Sequence, residues 1–235
     1  MKHRAIAIIP ARGGSKRIPK KNVVDIDGKP LIAYTILSAK ISKYFPSRIY
    51  VSTDDAEIAQ TATRYEAKII KRPNQHAKDK SSTLSVLKHS VEALEEEGVR
   101  FDTVVLLQPT SPFRSATTII SGIKKLWGNW DKLDAIFSVK QTKFPSNWIL
   151  KINKELLEFI YANDFSKIRG QDFDKNYEID GVLYVYKKDF IKKALRYPFA
   201  KNRSGYILTS KLESIDVDDM EDLNIARALF AYKKG

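Results

Sequence analysis

The segment from Ile8 to Asn22 reads Ile-Ile-Pro-Ala-Arg-Gly-Gly-Ser-Lys-Arg-Ile-Pro-Lys-Lys-Asn, and it constrains the fold more than any other stretch of the chain. The residues leading into it, Ala5 to Ile9, form an apolar run with the length and β-branched content of a short buried strand. That run passes directly into Gly13-Gly14, a pair that lets the backbone turn tightly and approach a ligand with no β-carbon in the way. Around the glycines stand five cationic side chains, Arg12, Lys16, Arg17, Lys20 and Lys21. Arg12, Lys16 and Lys21 can converge on one anion. Each close cation–phosphate contact is worth roughly 1 kcal/mol in open water and about 4 kcal/mol where the effective dielectric is about 20. Lysines on a flat surface are screened and gain far less. The pattern therefore predicts a strand-to-loop grip on a polyphosphate, with a solvated basic loop as the plainer alternative. Two familiar phosphate signatures are absent, GxxxxGKS/T and GxGxxG, which disfavours an ATPase P-loop and a dinucleotide fold.

A chain of 235 residues, 43% of them apolar, is long enough for one large α/β domain with a sizeable core. It has no cysteine, so disulfides, thiolate metal sites and a cysteine nucleophile are excluded, and a cytoplasmic location is expected. Met1-Lys2-His3-Arg4 leads into an apolar stretch too short for a signal-peptide core or a membrane span, so no membrane partner is expected. The net charge of +13 and pI near 9.6 favour anionic partners, a property shared by nucleotide enzymes and nucleic-acid binders. The lysines are dispersed, at Lys40, Lys43, Lys78, Lys124, Lys154 and Lys192 among others, and no finger, helix-turn-helix or RNP motif is present. Nucleic acid is therefore not an expected partner, and a non-catalytic nucleotide- or nucleic-acid-binding protein is the bland alternative.

Apolar β-branched runs alternate with helical patterns, the signature of a mostly parallel sheet with helices on both faces. Strands are predicted at Ala5 to Ile9, Arg48 to Thr53, Lys68 to Lys71, Thr103 to Leu107, Ala135 to Val139 and Gly181 to Tyr186. Helices are predicted from Pro30, after the cap Asp54-Asp55, after Ser81-Ser82-Thr83, from Ser115 to Trp127, from Lys188 to Leu195 and from Asp218 to Tyr232. Between Phe144 and Tyr177 the regularity fails, with a hairpin expected from Trp148 to Ile152 and Leu157 to Ile160. Residues 144–177 thus read as an insertion within a single domain, 1–235, lying over an active site or in a subunit interface. In open sheets of this kind ligands sit beyond the carboxyl ends of the strands. The basic loop, Ser52-Thr53-Asp54, Arg72-Pro73 and Gln108-Pro109-Thr110-Ser111-Pro112 all fall on that rim. His76 and His89 have no partner at metal-ligand spacing, and Trp127 and Trp130 read as packing at a helix end.

These segments, in this order, resemble the acylneuraminate cytidylyltransferases, which activate sialic acid and related nine-carbon keto sugars as CMP conjugates. The most specific match is Ile9-Pro10-Ala11-Arg12-Gly13-Gly14-Ser15-Lys16 with Lys21-Asn22, which looks like the family's CTP-binding loop. Supporting it are Val51-Ser52-Thr53-Asp54, Arg72-Pro73 with Asp79 and Ser81-Ser82, Leu107 to Pro112, and Ser214-Ile215-Asp216-Val217-Asp218. The resemblance implies a doubly wound, Rossmann-like nucleotidyltransferase sheet carrying an inserted hairpin, and a homodimer. It implies that Ala11 to Lys16, Lys21 and Asn22 bind the nucleotide. Within that set Arg12, Lys16 and Lys21 contact the triphosphate, with Lys21 facing the departing pyrophosphate. Asn22, Arg72, Ser82 and Gln108 fall where the family reads cytidine or nearby groups, and Asp216 and Asp218 match its metal-binding pair.

Two carboxylates two residues apart can share a hard cation, and magnesium bridges phosphates with few protein ligands. Helix capping is the competing role, because Asp218-Asp219 precedes a helical pattern. The implied reaction joins CTP to the anomeric hydroxyl of an anionic keto sugar and releases pyrophosphate. Charge repulsion is its obstacle; magnesium with Arg12, Lys16 and Lys21 offsets it, and positioning supplies most of the acceleration. Asp216 is the candidate base, directly or through metal-bound water. Departures gather on the sugar side. Arg169 is followed by Gly170 before Gln171-Asp172, where the family commonly has two arginines, and Glu178-Ile179-Asp180-Gly181 replaces Pro-Asn-Gly. Arg169, Gln171 and Asp180 are the candidate sugar residues, with legionaminic and pseudaminic acids competing with neuraminic acid as acceptor. A CMP-Kdo synthetase, or another nucleotidyltransferase of the same architecture, is the alternative.

Overall fold

A computed structural model describes residues 3–73, 82–144, 148–154, 156–160, 175–195 and 199–232. Its strands are β1 (Ala5–Pro10), β2 (Asp25–Ile26), β3 (Lys29–Pro30), β4 (Ile49–Thr53), β5 (Lys68–Lys71) and β6 (Thr103–Leu106). They continue with β7 (Ala135–Gln141), β8 (Leu150–Asn153), β9 (Leu156–Phe159), β10 (Tyr177–Lys187) and β11 (Ser204–Leu208). The helices are α1 (Leu31–Ser42), α2 (Ala56–Arg64), α3 (Thr83–Glu96), α4 (Ala116–Gly128), α5 (Lys188–Lys193) and α6 (Met220–Tyr232).

Seven strands form the central sheet in the order β11-β7-β10-β6-β1-β4-β5. Only β10 opposes the others, pairing antiparallel with both β6 and β7. β1 lies between β4 and β6, with Ile8 opposite Tyr50 on one side and Leu106 on the other. From β1 the chain winds outward through β4 and β5 and then returns across β1 to β6. The β1–β6 boundary is therefore a topological switch point, where the connections diverge and leave a crevice at the carboxyl ends.

β1 shows why its residues are almost all apolar: alternate side chains serve opposite faces, and both faces are covered. Ala5, Ala7 and Ile9 join a cluster with Ile32 and Ile36 of α1, Ile58 of α2 and Ile123 of α4. Ile6 and Ile8 join another with Leu87 and Val91 of α3 and Ile191 of α5. A third cluster lies outside the sheet, where Ile18, Ile26, Leu31, Phe113, Val217 and Leu223 bury one another between the basic loop and α6. The hairpin expected from Trp148 to Ile152 and Leu157 to Ile160 forms as its own two-stranded sheet, with strands at Leu150–Asn153 and Leu156–Phe159.

Three local differences from the sequence reading have simple causes. β10 begins at Tyr177, four residues before Gly181, and its register against β7 shifts between Ile179 and Tyr184, a bulge that hides the two-residue period. β11 and the small β2–β3 pair were not anticipated; both are short, and β11 is only partly buried. α6 starts at Met220 rather than Asp218.

Helix starts follow the capping residues. Asp55 accepts from Ile58 N–H at 2.9 Å and Ser115 from Thr118 N–H at 3.1 Å. Ser82 caps α3, accepting from Ser85 N–H at 3.1 Å. Replacing Ser82 with alanine is expected to lower unfolding stability by about 1 kcal/mol, and replacing it with glycine by only a few tenths. Urea denaturation of the two variants beside the wild type checks both values.

Candidate active site

The cleft at the switch point has a volume of about 370 Å³. Arg12, Ser15, Lys16, Lys21 and Asn22 line one wall, Gln108 and Thr110 line the wall after β6, and Asp218 closes one side. Backbone bonds shape the basic loop: Ala11 N–H donates to Ser52 O at 3.0 Å, and Ser15 N–H folds back onto Gly13 O at 2.9 Å. Asn22, 5% exposed, donates through Nδ2 to Arg12 O at 2.9 Å and so fastens the two ends of the loop together.

Gly13 is required by a protein contact. A Cβ there would lie 2.5 Å from Asp55 Oδ2, so any side chain would displace the α2 cap. Gly13 N–H also donates to Asp54 Oδ1 at 3.2 Å. Gly14, by contrast, faces open space. The sequence pair Asp54-Asp55 is thus divided between the loop and the helix.

The two ends of the chain meet in this cleft. Lys21 Nζ donates to Asp218 Oδ1 at 3.0 Å and to Val217 O at 3.1 Å, and Arg17 Nη2 donates to Asp218 Oδ2 at 3.1 Å. The aspartate segment is placed by Val217, which is fully buried in the third apolar cluster and whose N–H donates to Thr110 O at 2.8 Å. On either side of buried Val217, Asp216 is exposed and Asp218 half-buried, so the flanking carboxylates lie outside that cluster.

The competing capping role belongs to the neighbouring aspartate. Asp219 Oδ1 accepts from Glu221 N–H and Asp222 N–H, both at 3.0 Å. Asp222 Oδ2 returns the favour to Asp218 N–H and Asp219 N–H. The Asp218 carboxylate is thereby left to the cations.

The two carboxyls of the pair titrate in opposite directions. Burial alone would raise Asp218, but the hydrogen bond and charge of Lys21, with Arg17 beside it, outweigh that and hold its pKa below the usual range. Asp216 has an open side but is crowded by protein. The loss of hydration raises its pKa, with the like charges of Asp218 and Asp222 adding and the Thr110 hydroxyl and Lys21 opposing.

Other predicted residues have varied placements. Arg72 is 5% exposed beside the cleft, its Nη2 donating to Ser52 O at 2.6 Å and its Nε to Ser52 Oγ at 3.2 Å. Burial lowers its pKa, and Asp54 and Arg12 act on it with opposite signs. Ser82 spends its oxygen on the α3 cap. Asp180 lies at the β10 bulge, accepting from the Ser138 and Thr209 hydroxyls and, at 3.1 Å, from Val182 N–H. Arg169, Gln171, Asp79 and Ser81 lie outside the described residues.

Sequence reasoning missed Arg114, which sits just beyond Pro112 and is 4% exposed behind Gln108. Its position after a turn motif was the only available signal, because charge by itself predicts exposure. A second cavity, about 740 Å³, is lined by Lys140, Lys143, Lys211 and Glu178 together with Ser214 and Ile215, the residues leading to Asp216. Among the described residues no cluster of three or more metal-ligating side chains occurs, and no helix is long and apolar enough to cross a membrane.

A cytidylyltransferase family profile matches residues 6–180, which include the basic loop, the strands of the switch point and the start of β10. The chain belongs to the cytidylyltransferase family. It is 32% identical over 226 residues to the N-acylneuraminate cytidylyltransferase of Escherichia coli O18:K1:H7, covering 96% of this chain and 52% of that protein. The chain thus spans about half the length of that relative. It is 32% identical over 232 residues to the pseudaminic acid cytidylyltransferase of Campylobacter jejuni strain 81-176, covering 96% of this chain and 95% of that one. The CMP-N,N'-diacetyllegionaminic acid synthase of Legionella pneumophila is 33% identical over 242 residues, with 96% of each chain covered. Among solved structures, a CMP:2-keto-3-deoxy-manno-octonic acid synthetase complexed with CTP superposes with a TM-score of 0.70 at 20% identity, covering 98% of this chain and 99% of that one. That likeness establishes a shared nucleotidyltransferase fold.

The carboxyl pair gives a signed stability test. A raised native pKa at Asp216 means the folded state holds its proton more tightly than the unfolded chain, so ionisation above that pKa costs stability. A lowered native pKa at Asp218 means its ionised form contributes stability above the unfolded pKa, and that contribution is lost as pH falls through the folded pKa. At neutral pH, Asp216→Asn is expected to raise the melting temperature of the ligand-free protein and Asp218→Asn to lower it. Both differences should shrink as acid protonates the two carboxyls, and calorimetry from neutral to acid pH measures them.

Proposed function

We propose that this cytidylyltransferase transfers CMP from CTP to the anomeric hydroxyl of a nine-carbon, sialic-acid-like keto sugar, releasing pyrophosphate. The observation that carries this reading is the 3.0 Å contact between Lys21 and Asp218, which unites the cationic loop with the aspartate pair at the switch-point crevice. CTP brings about four negative charges, and in a cleft each cation–phosphate contact is worth several times its value in water. Arg12, Lys16 and Lys21 provide those contacts. Lys21 exchanges Asp218 for phosphate oxygen and takes the charge that develops on the leaving pyrophosphate. Asn22 keeps the loop closed while this happens.

The donor set suits magnesium. Asp216 and Asp218 are hard oxygen ligands; burial is the main cause of the raised Asp216 carboxyl, and the nearby charge of Asp218 adds to it, a repulsion that a divalent cation would relieve. When bound, the ion would neutralise phosphate charge and help to orient the triphosphate. Asp216 stands beside Thr110, where it can take the proton of an incoming hydroxyl. The lysine-lined second cavity bordering residues 214–215 suits an acceptor bearing a carboxylate.

The relatives divide among neuraminic, pseudaminic and legionaminic acids, and the acceptor is one of this chemical class. The exposed apolar residues of β8–β9 and its flanks, including Ile149, Ile152, Leu156 and Leu157, fit the subunit contact of a homodimer. A cytoplasmic setting supplies CTP and magnesium together.

Pyrophosphate release from CTP, with a panel of nine-carbon and eight-carbon keto sugars, tests this assignment. Magnesium-dependent release with a nine-carbon acid is expected. Release with only the eight-carbon sugar would transfer the assignment to a Kdo-type activity. Lys21→Ala should lower turnover by about a hundredfold, the scale of one lost oxyanion-type contact, without loss of fold. Near-wild-type turnover would remove Lys21 from the catalytic residues.

A further inference from the structure

We propose that Arg114 is a positioning residue: it fixes the Gln108 wall of the nucleotide cleft and ties that wall to the β10 bulge held by Asp180. Arg114 donates from all three guanidinium nitrogens, and none of these bonds ends on a carboxylate. Nη2 reaches Gln108 O at 2.6 Å, Nε reaches Val182 O at 2.5 Å and Nη1 reaches Thr35 Oγ1 at 3.0 Å. Thr35 Oγ1 in turn donates to Gln108 O at 3.3 Å, so that carbonyl is held from two directions. A buried cation with neutral partners is costly, and it must satisfy acceptors that an apolar side chain would leave unpaired. Asp180, Asp216 and Glu213 supply the compensating negative field without touching it.

The groups held are those that shape the cleft. Gln108 lines it, and the Gln108 amide packs over Gly181, whose absent Cβ would lie 3.7 Å from Gln108 Nε2. Gly181 has φ of +80°, a left-handed conformation that other residues adopt only under strain. Its two neighbours are pinned. Asp180 accepts from Ser138, Thr209 and Val182 N–H, and the Val182 carbonyl accepts from Arg114. The Gln108 amide thus rests on a backbone shelf whose height the Asp180 and Arg114 bonds set together. Asp180 acts through this shelf, with its carboxylate oxygens directed at protein donors.

Distinct partial arrangements follow if either pin is loosened. The Gln108 carbonyl and side chain would lose their common support, and ligand affinity would fall through Gln108 alone. This inference rests on the proposed CTP site for its binding readout and on no ligand for its spectroscopic one.

The test is a double-mutant cycle on CTP affinity, measured calorimetrically with Arg114→Lys, Gln108→Ala and the combination. Arg114→Lys should weaken CTP binding about tenfold in the wild-type background and by less than about twofold when Gln108 is already alanine, the non-additivity expected of residues in one network. An equal penalty in both backgrounds, or no penalty, would overturn the proposal. Thr35→Val replaces Arg114→Lys in the cycle if the lysine variant does not fold, with the same two outcomes. Independently of ligand, the Gln108 side-chain amide resonances should move toward the averaged positions of a free glutamine in Arg114→Lys, and in Thr35→Val, which removes the Arg114 Nη1 acceptor. Unchanged resonances would contradict the positioning role. If the wild type binds no CTP, the proposed function fails, while these resonances still decide the role of Arg114.

Discussion

The ion pairs of Asp218 with Lys21 and Arg17 are the interaction on which the rest of the site depends. Five cations crowded onto one loop repel one another and would splay outward without an internal anion. Asp218, brought from the far end of the chain, supplies an anion to Lys21 and Arg17, as Glu57 does to Lys20. A partly exposed network of this kind contributes only modestly to stability by itself. Its importance is positional, because Lys21 is largely buried, with 16% of its side chain exposed, and is aimed into the cleft. The same carboxylate is the one proposed to hold a divalent ion, a role in which one residue would organise both the resting and the loaded site.

Geometry this specific needs a scaffold that charge cannot provide. The third apolar cluster provides it: Ile18 from the loop and Val217 from the aspartate segment are both buried against α6 and the small β2–β3 pair. The carboxylates flanking buried Val217 lie outside it. The division of labour among the acidic residues is equally local. Asp219 and Asp222 satisfy the start of α6, Asp55 satisfies the start of α2, and Asp54 holds the loop, which leaves Asp218 free of capping duty.

Much of this was legible in the sequence, for physical reasons. β1, β4 and β6 are covered on both faces, so they read as continuous apolar runs, and the loops between strands and helices must fall on the crevice rim. The family motifs placed Arg12, Lys16, Lys21 and Gln108 together, and the cleft contains them all. The β10 bulge was not legible, because a register shift erases the alternation that marks a strand. Which aspartate caps α6 was open because Asp218 and Asp219 are neighbours of the same type; the hydrogen bonds give that task to Asp219 and Asp222. Arg114 was invisible for a deeper reason. A buried arginine is recognised by its acceptors, and these come from α1, the loop after β6 and β10, which are far apart in the chain.

CTP affinity of the wild type and of Asp218→Asn, each measured with and without magnesium, probes this arrangement most sharply. If Asp218 is both the resting partner of Lys21 and an oxygen ligand for the ion, its removal should leave metal-free CTP binding as tight or tighter, because an internal competitor for the cations has gone. The variant should then lose most of the gain that magnesium gives the wild type. A reduction by the same factor in both conditions, or no change in either, would contradict the claim that one carboxylate balances this cleft in both states.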